Sequence, residues 1–187
     1  MTGRSEFAFG GRLCLDLTWT VRYRAIAPTE LLVDAGDVRR WLMAVGLPAP
    51  ELLAGEDLAA VRALREAIHA AAVARIDGRR LSAANRDLVN RRAAAPSPFP
   101  VLGTGHRRHL SAPAGQEVAA ALSAVARDAI DLLATAGDGR LRRCSGPLCS
   151  LLFHDGSRPG TRRWCDTARC GNKVNTTTYR QRRRERD

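Results

Sequence analysis

Cys144 and Cys149 form one close pair and Cys165 and Cys170 a second, with fifteen residues between them. Four residues separate the members of each pair, and two such pairs joined by a loop can present four thiolates to one tetrahedral zinc ion. Four sulfurs close the coordination shell, so this zinc is expected to be structural, one per chain, with no open position for a catalytic water. Gly146-Pro147 inside the first pair suits a tight turn around a metal, and Gly171 after Cys170 suits a left-handed or crowded backbone position. His154 is a rival ligand, but four sulfurs are already available. A nuclease-type catalytic metal would need a further histidine, and none follows His154.

Charge is the second signal. Residues 1–139 hold 17 arginines and 15 acidic residues, a net of +2, whereas residues 140–187 hold 13 basic and 4 acidic residues, a net of +9. Four thiolates and Zn²⁺ would subtract two charges and leave the region near +7, which points to a polyanionic partner. Lys173, Thr176 or Thr177, Arg180 and Arg184 fall on one side of a helix if a helix continues from about Thr167. Such a helix, polar on all faces, is stable only when anchored, here by zinc at its start, or when held by a partner. Arg162, Arg163, Arg169, Lys173, Arg180, Arg183 and Arg184 are the candidate phosphate contacts, with double-stranded DNA as the expected partner. RNA ranks second, because few aromatic side chains are on offer for stacking bases. A zinc-stabilised adaptor for an acidic protein is the competing class.

The elements that must position these residues are mainly helical. Val38, Trp41, Leu42 and Val45 predict a short helix over 37–45, capped by Asp34 or Asp37 and stopped by Gly46 and Pro48. Leu58, Val61, Leu64, Ile68 and Ile76 predict a long one over 57–76, ended by Gly78. Ser82 is the expected cap of a helix reaching Ala94, and Pro113–Ala134 reads as the last large helix. Residues 99–111 fit a hairpin covering one side of the bundle, and Leu13, Leu15 and Leu17 alternate as in a strand or short extended entry over 7–20. Leu151-Leu152-Phe153 reads as a strand and Ser157–Gly160 as a turn, so knuckle, hairpin and helix follow in treble-clef order. Thr135–Gly139 is the expected boundary between a unit over 1–136 and a unit over 140–187.

The amino-terminal residues carry no apolar run of signal-peptide length, and no stretch reaches the roughly 20 apolar residues of a membrane span. A cytosolic setting is expected, where paired cysteines hold metal rather than form disulfides. Cys14, alone among leucines, reads as a buried small hydrophobe. His69, His106 and His109 lack a Cys, Ser or metal-site partner at informative spacing, so no enzyme is expected.

Leu141-Arg142-Arg143-Cys144, Leu151–Asp155, Arg163-Trp164-Cys165 and Cys170-Gly171-Asn172-Lys173 resemble the CGNR-type zinc finger. Leu13-Cys14-Leu15-Asp16 and Trp41-Leu42 are similar to the ABATE domain that precedes this finger in bacterial stress-induced transcription regulators. The resemblance covers nearly the whole chain. It implies an α+β, mainly helical protein: an amino-terminal domain that binds an unidentified small molecule, then a DNA-binding treble-clef finger. Asp16 and Thr20 are the candidate ligand residues by that resemblance. Lys173 stands where the name-giving motif has arginine, keeping the charge without the bidentate fork. Asn175 stands at a position that is often basic, and Trp19 precedes Thr20 where the family often has asparagine.

Overall fold

Small residues at helical spacing let the long central helix approach its neighbours closely. The computed structural model describes residues 7–171. Its elements are α1 (Leu13–Thr18), β1 (Val21–Arg22), β2 (Thr29–Glu30), α2 (Ala35–Ala44), α3 (Gly55–Ile76), α4 (Ala83–Ala93), β3 (Phe99–Leu102), β4 (Arg108–Ser111), α5 (Glu117–Thr135), β5 (Leu141–Arg143) and β6 (Leu152–His154). A final helical turn spans Thr167–Gly171. The protein is thus mainly helical, with three short antiparallel strand pairs among the described residues, β1–β2, β3–β4 and β5–β6.

α3 is the spine. Val61, Leu64, Ala67, Ile68, Ala71 and Ala72 are buried along it, facing α1, α4 and α5. Its last turn closes where Gly78 adopts φ +65°, and Arg79 N–H donates back to the Ala74 carbonyl at 2.8 Å. α2 opens on a reciprocal pair that uses both candidate caps, Asp34 and Asp37: Asp37 N–H donates to Asp34 Oδ1 at 2.9 Å and Asp34 N–H to Asp37 Oδ2 at 3.0 Å.

Three expectations are corrected. Residues 13–18 form a helix rather than a strand. Cys14, Leu15, Asp16, Leu17 and Thr18 are all buried, so alternating leucines do not mark one wet and one dry face. The cap of this helix comes from far away: Cys14 N–H donates to Asp128 Oδ2 of α5 at 2.8 Å. Ser82 makes no capping bond through its side chain, although α4 begins directly after it. The hairpin β3–β4 stands out from the bundle more than it covers it, with Phe99 and Leu102 exposed and Leu110 resting on the core. The pair β1–β2 is an addition; two residues per strand are too few to show a pattern.

Finger and helices share one core. Leu141 of β5 and Leu152 of β6 belong to the same buried cluster as Leu17, Leu64 and Leu132. A second cluster joins Trp19 to Cys144, Phe153 and Cys165.

Candidate metal centre

β5 and β6 pair in the register Leu141↔His154 and Arg143↔Leu152, and the first cysteine pair lies in the loop between them. The strand partner of Leu152–His154 therefore precedes Cys144. Cys144 N–H donates to the Leu151 carbonyl at 2.9 Å, and Cys149 N–H to the Gly146 carbonyl at 2.9 Å, folding the loop into a knuckle. A Cβ on Gly146 would meet Cys149 Cβ at 3.0 Å, Cys170 Sγ at 3.3 Å and Cys144 Sγ at 3.5 Å, so the glycine is there for space. Gly171 is crowded likewise, by Trp164 Cδ1 at 3.2 Å and Thr167 Cγ2 at 3.3 Å. Its role is the crowded one of the two expected.

The second pair is presented differently. Ser145 N–H donates to the Arg163 carbonyl at 2.9 Å, laying the chain before Cys165 against the knuckle. Asp166 then starts the turn that carries Cys170: its side chain accepts from Arg169 N–H at 3.0 Å and its carbonyl from Cys170 N–H at 2.9 Å. The four sulfurs lie within 4.8 Å of one another, and Cys149–Cys165 and Cys165–Cys170 are 3.7 Å apart. A tetrahedron of Zn–S bonds of about 2.3 Å has edges of about 3.8 Å, so the spacing fits zinc, whereas a disulfide needs about 2.05 Å. His154 is not needed to complete the set. Cys165 N–H donates to Cys144 Sγ at 3.3 Å, a contact that favours the thiolate there.

Without a cation the cluster cannot carry four negative charges. The hydrogen bond between Cys149 and Cys165 draws the pKa of Cys149 down. The same bond and burial push Cys165 up, and burial followed by the Cys149 charge pushes Cys170 up. A dication removes that repulsion, and its binding would release the remaining protons. The zinc would supply folding energy and geometry: it ties the β5–β6 loop to the turn Thr167–Gly171.

Within the finger sits Asp155, part of the motif quoted above but given no structural role there. It is fully enclosed. It accepts from Ser157 Oγ at 2.6 Å, Arg162 N–H at 2.7 Å and Ser157 N–H at 3.0 Å, and these donors, with Arg142 nearby, hold its carboxyl at about 2. Asp155-Gly156-Ser157 is an Asx-turn sequence, the local signal that could have revealed it. Arg162, one of the candidate phosphate contacts, is engaged inside the finger. Its Nε donates to the Trp164 carbonyl at 2.7 Å, Nη2 donates to the Cys165 carbonyl, and the guanidinium lies 5.2 Å from the Phe153 ring centroid. Those carbonyls bracket a zinc ligand, so Arg162 shapes the site from inside. Arg163 and Arg169 are exposed, Arg163 stacking 5.3 Å from the Trp164 ring centroid. Lys173, Arg180, Arg183 and Arg184 lie outside the described residues.

The candidate ligand residues lie elsewhere, beside α1. Asp16 is buried and accepts from Gly10 N–H; desolvation, aided by the Asp128 charge, raises its pKa to about 6. Thr20 Oγ1 donates to the Leu17 carbonyl at 2.7 Å and accepts from Arg65 Nη1 at 3.1 Å. Arg65 also grips Glu30 through two bonds of 2.7 and 2.6 Å. Both residues are thus engaged by the protein's own groups. Nearby, three contacts fasten the finger. Trp19 Nε1 donates to the Leu152 carbonyl at 2.7 Å, Arg24 N–H to Ser150 Oγ at 2.8 Å, and Arg143 to both oxygens of Asp77 at 2.7 and 3.0 Å.

A helical unit followed by a four-cysteine cluster defines a protein of the zinc-finger class. The chain belongs to the ABATE family, described as putative stress-induced transcription regulator, whose model matches residues 11–136. The CGNR zinc finger matches residues 140–183. Among curated proteins none matches the chain. Both families are of regulator and zinc-finger types, and the chain carries one structural zinc site. No helix among the described residues is long and apolar enough to cross a membrane.

Proposed function

We propose that this protein is a zinc-dependent, double-stranded-DNA-binding transcription regulator acting in the cytosol, with a ligand-responsive unit over 1–136 and a DNA-binding unit over 140–187. The observation that carries this reading is the geometry of the second cysteine pair. The turn that holds Cys170 against the other sulfurs also carries exposed Arg169 and leads into the most basic segment of the chain. Zinc thereby orients the point from which Lys173, Arg180, Arg183 and Arg184 depart. Arg163, on its Trp164 platform, and Arg169 contact phosphates beside them, whereas Arg162 contributes by shaping the finger. Ligand binding in the first unit changes how the second is presented to DNA.

Binding of the zinc-loaded chain to duplex DNA, RNA and an acidic polypeptide, each at several salt concentrations, tests this. Duplex DNA is expected to bind tightest. Replacing Arg180, Arg183 and Arg184 together is expected to flatten the plot of log affinity against log salt by about 2 to 3 units of slope. An unchanged slope, or preference for the acidic polypeptide or RNA, would sink the proposal.

A further inference from the structure

We propose that the groove between α3, α4 and α5 is the effector site, and that it takes a small organic acid, an apolar body ending in one carboxylate. This rests on the ligand-responsive reading and gives the ligand a place and a chemistry. The groove is an open cleft of about 420 Å³, a volume within the range of small-molecule sites. Val89, Ile130 and Leu133 supply apolar walls, and Arg75, Arg86 and Asn90 are its polar lining. Ile130 is a large apolar side chain left exposed at this lip.

Arg75 is what points to an anion. Its Nε is shut off from solvent and has no hydrogen-bond partner, and no acidic side chain pairs with its guanidinium among the described residues. Arg86, by contrast, is already balanced by Asp87 at 3.1 Å. A buried N–H without an acceptor is rare and expensive. A planar carboxylate matches the planar fork of a guanidinium, and the single free cation suits one negative charge better than a phosphate dianion. Asn90 adds a neutral donor, while the walls accept the apolar body.

The position of Arg75 couples the groove to the finger. Two residues further along, Asp77 holds Arg143 of β5 through two bonds. The Arg75 guanidinium also lies beside Gly137, in the segment that runs from α5 directly into β5. A carboxylate that draws Arg75 into the groove therefore acts on the turn and the linker that seat the finger.

The test uses the full zinc-loaded chain, with calorimetric titration of 4-phenylbutyrate and octanoate and of the uncharged 4-phenylbutanamide. Saturable binding of at least one acid is expected, at least tenfold tighter than the amide. Arg75→Ala should weaken it at least tenfold, and Arg75→Lys by less. Ile130→Trp, a change at an exposed position that preserves the core, should block the groove and abolish binding. No saturable binding of either acid at millimolar concentration overturns the proposal, as does equal affinity for acid and amide or indifference to both Arg75→Ala and Ile130→Trp. DNA affinity is measured separately with and without the bound acid. Acid binding that leaves DNA affinity unchanged overturns the coupling. Acid binding by a chain that binds no duplex at all supports the groove and overturns the DNA reading.

Discussion

A single methyl group separates a working knuckle from a blocked one at Gly146. Its Cβ would press on Cys149 and on two sulfurs at 3.0 to 3.5 Å, so Gly146→Ala should lower zinc affinity at least tenfold, measured by competition with a chromophoric chelator. Asp155→Ala should act in the same direction by about 10-fold to 100-fold, because it frees the loop that delivers Arg162 to the carbonyls of Trp164 and Cys165. Two titrating residues leave opposite marks on stability. His69 is lowered to about 4, by burial and then by the Arg24 charge. Its contribution is therefore present above about 6.5 and lost as pH falls through about 4. Asp16 is raised to about 6, so its contribution is present below about 3.8 and lost as pH rises through about 6. Asp16→Asn keeps an acceptor for Gly10 N–H and removes the charge. In urea melts from pH 4 to 8 the variant should gain on the parent as pH rises; a constant difference would show that Asp16 is not buried as described.

At the scale of elements, local chemistry explains why some pieces were legible and others were not. α2, α3 and α5 announce themselves through apolar spacing, because their own residues set a dry and a wet face, and α2 also through its local cap of Asp34 and Asp37. α1 conceals itself for two reasons. All but the first of its residues are buried, and its amino-terminal cap is Asp128, over a hundred residues away. Asp128→Ala should therefore cost about 1–3 kcal/mol in urea unfolding, by leaving Cys14 N–H without an acceptor. Ser82→Ala should cost less than about 0.5 kcal/mol, since Ser82 caps nothing through its side chain. α4 is instead closed at its other end by α5: Ser123 Oγ donates to the Ala95 carbonyl at 2.6 Å and Arg127 Nε to the Ala93 carbonyl at 3.0 Å.

Over the whole molecule, zinc and helices are tied by the core they share. Leu141 and Leu152 are packed among helical leucines, and Trp19 reaches across to the Leu152 carbonyl. Chelating the zinc should therefore lower the thermal midpoint of the helical signal at 222 nm, in a single coupled transition. An unchanged midpoint would mean that the finger melts independently. The linear order of residues carried the four sulfur ligands, the capped helices and the basic end, because ligand chemistry, helical periodicity and net charge are properties of neighbours in sequence. Folding in three dimensions settled that Arg162 is bonded inside the finger while Arg163 and Arg169 are exposed, the helical state of residues 13–18, the seating of the finger on α3, and the orphaned Arg75 beside an open groove. Each of these depends on groups that meet only after segments up to more than a hundred residues apart have packed, and desolvation then decides which of their polar atoms find partners.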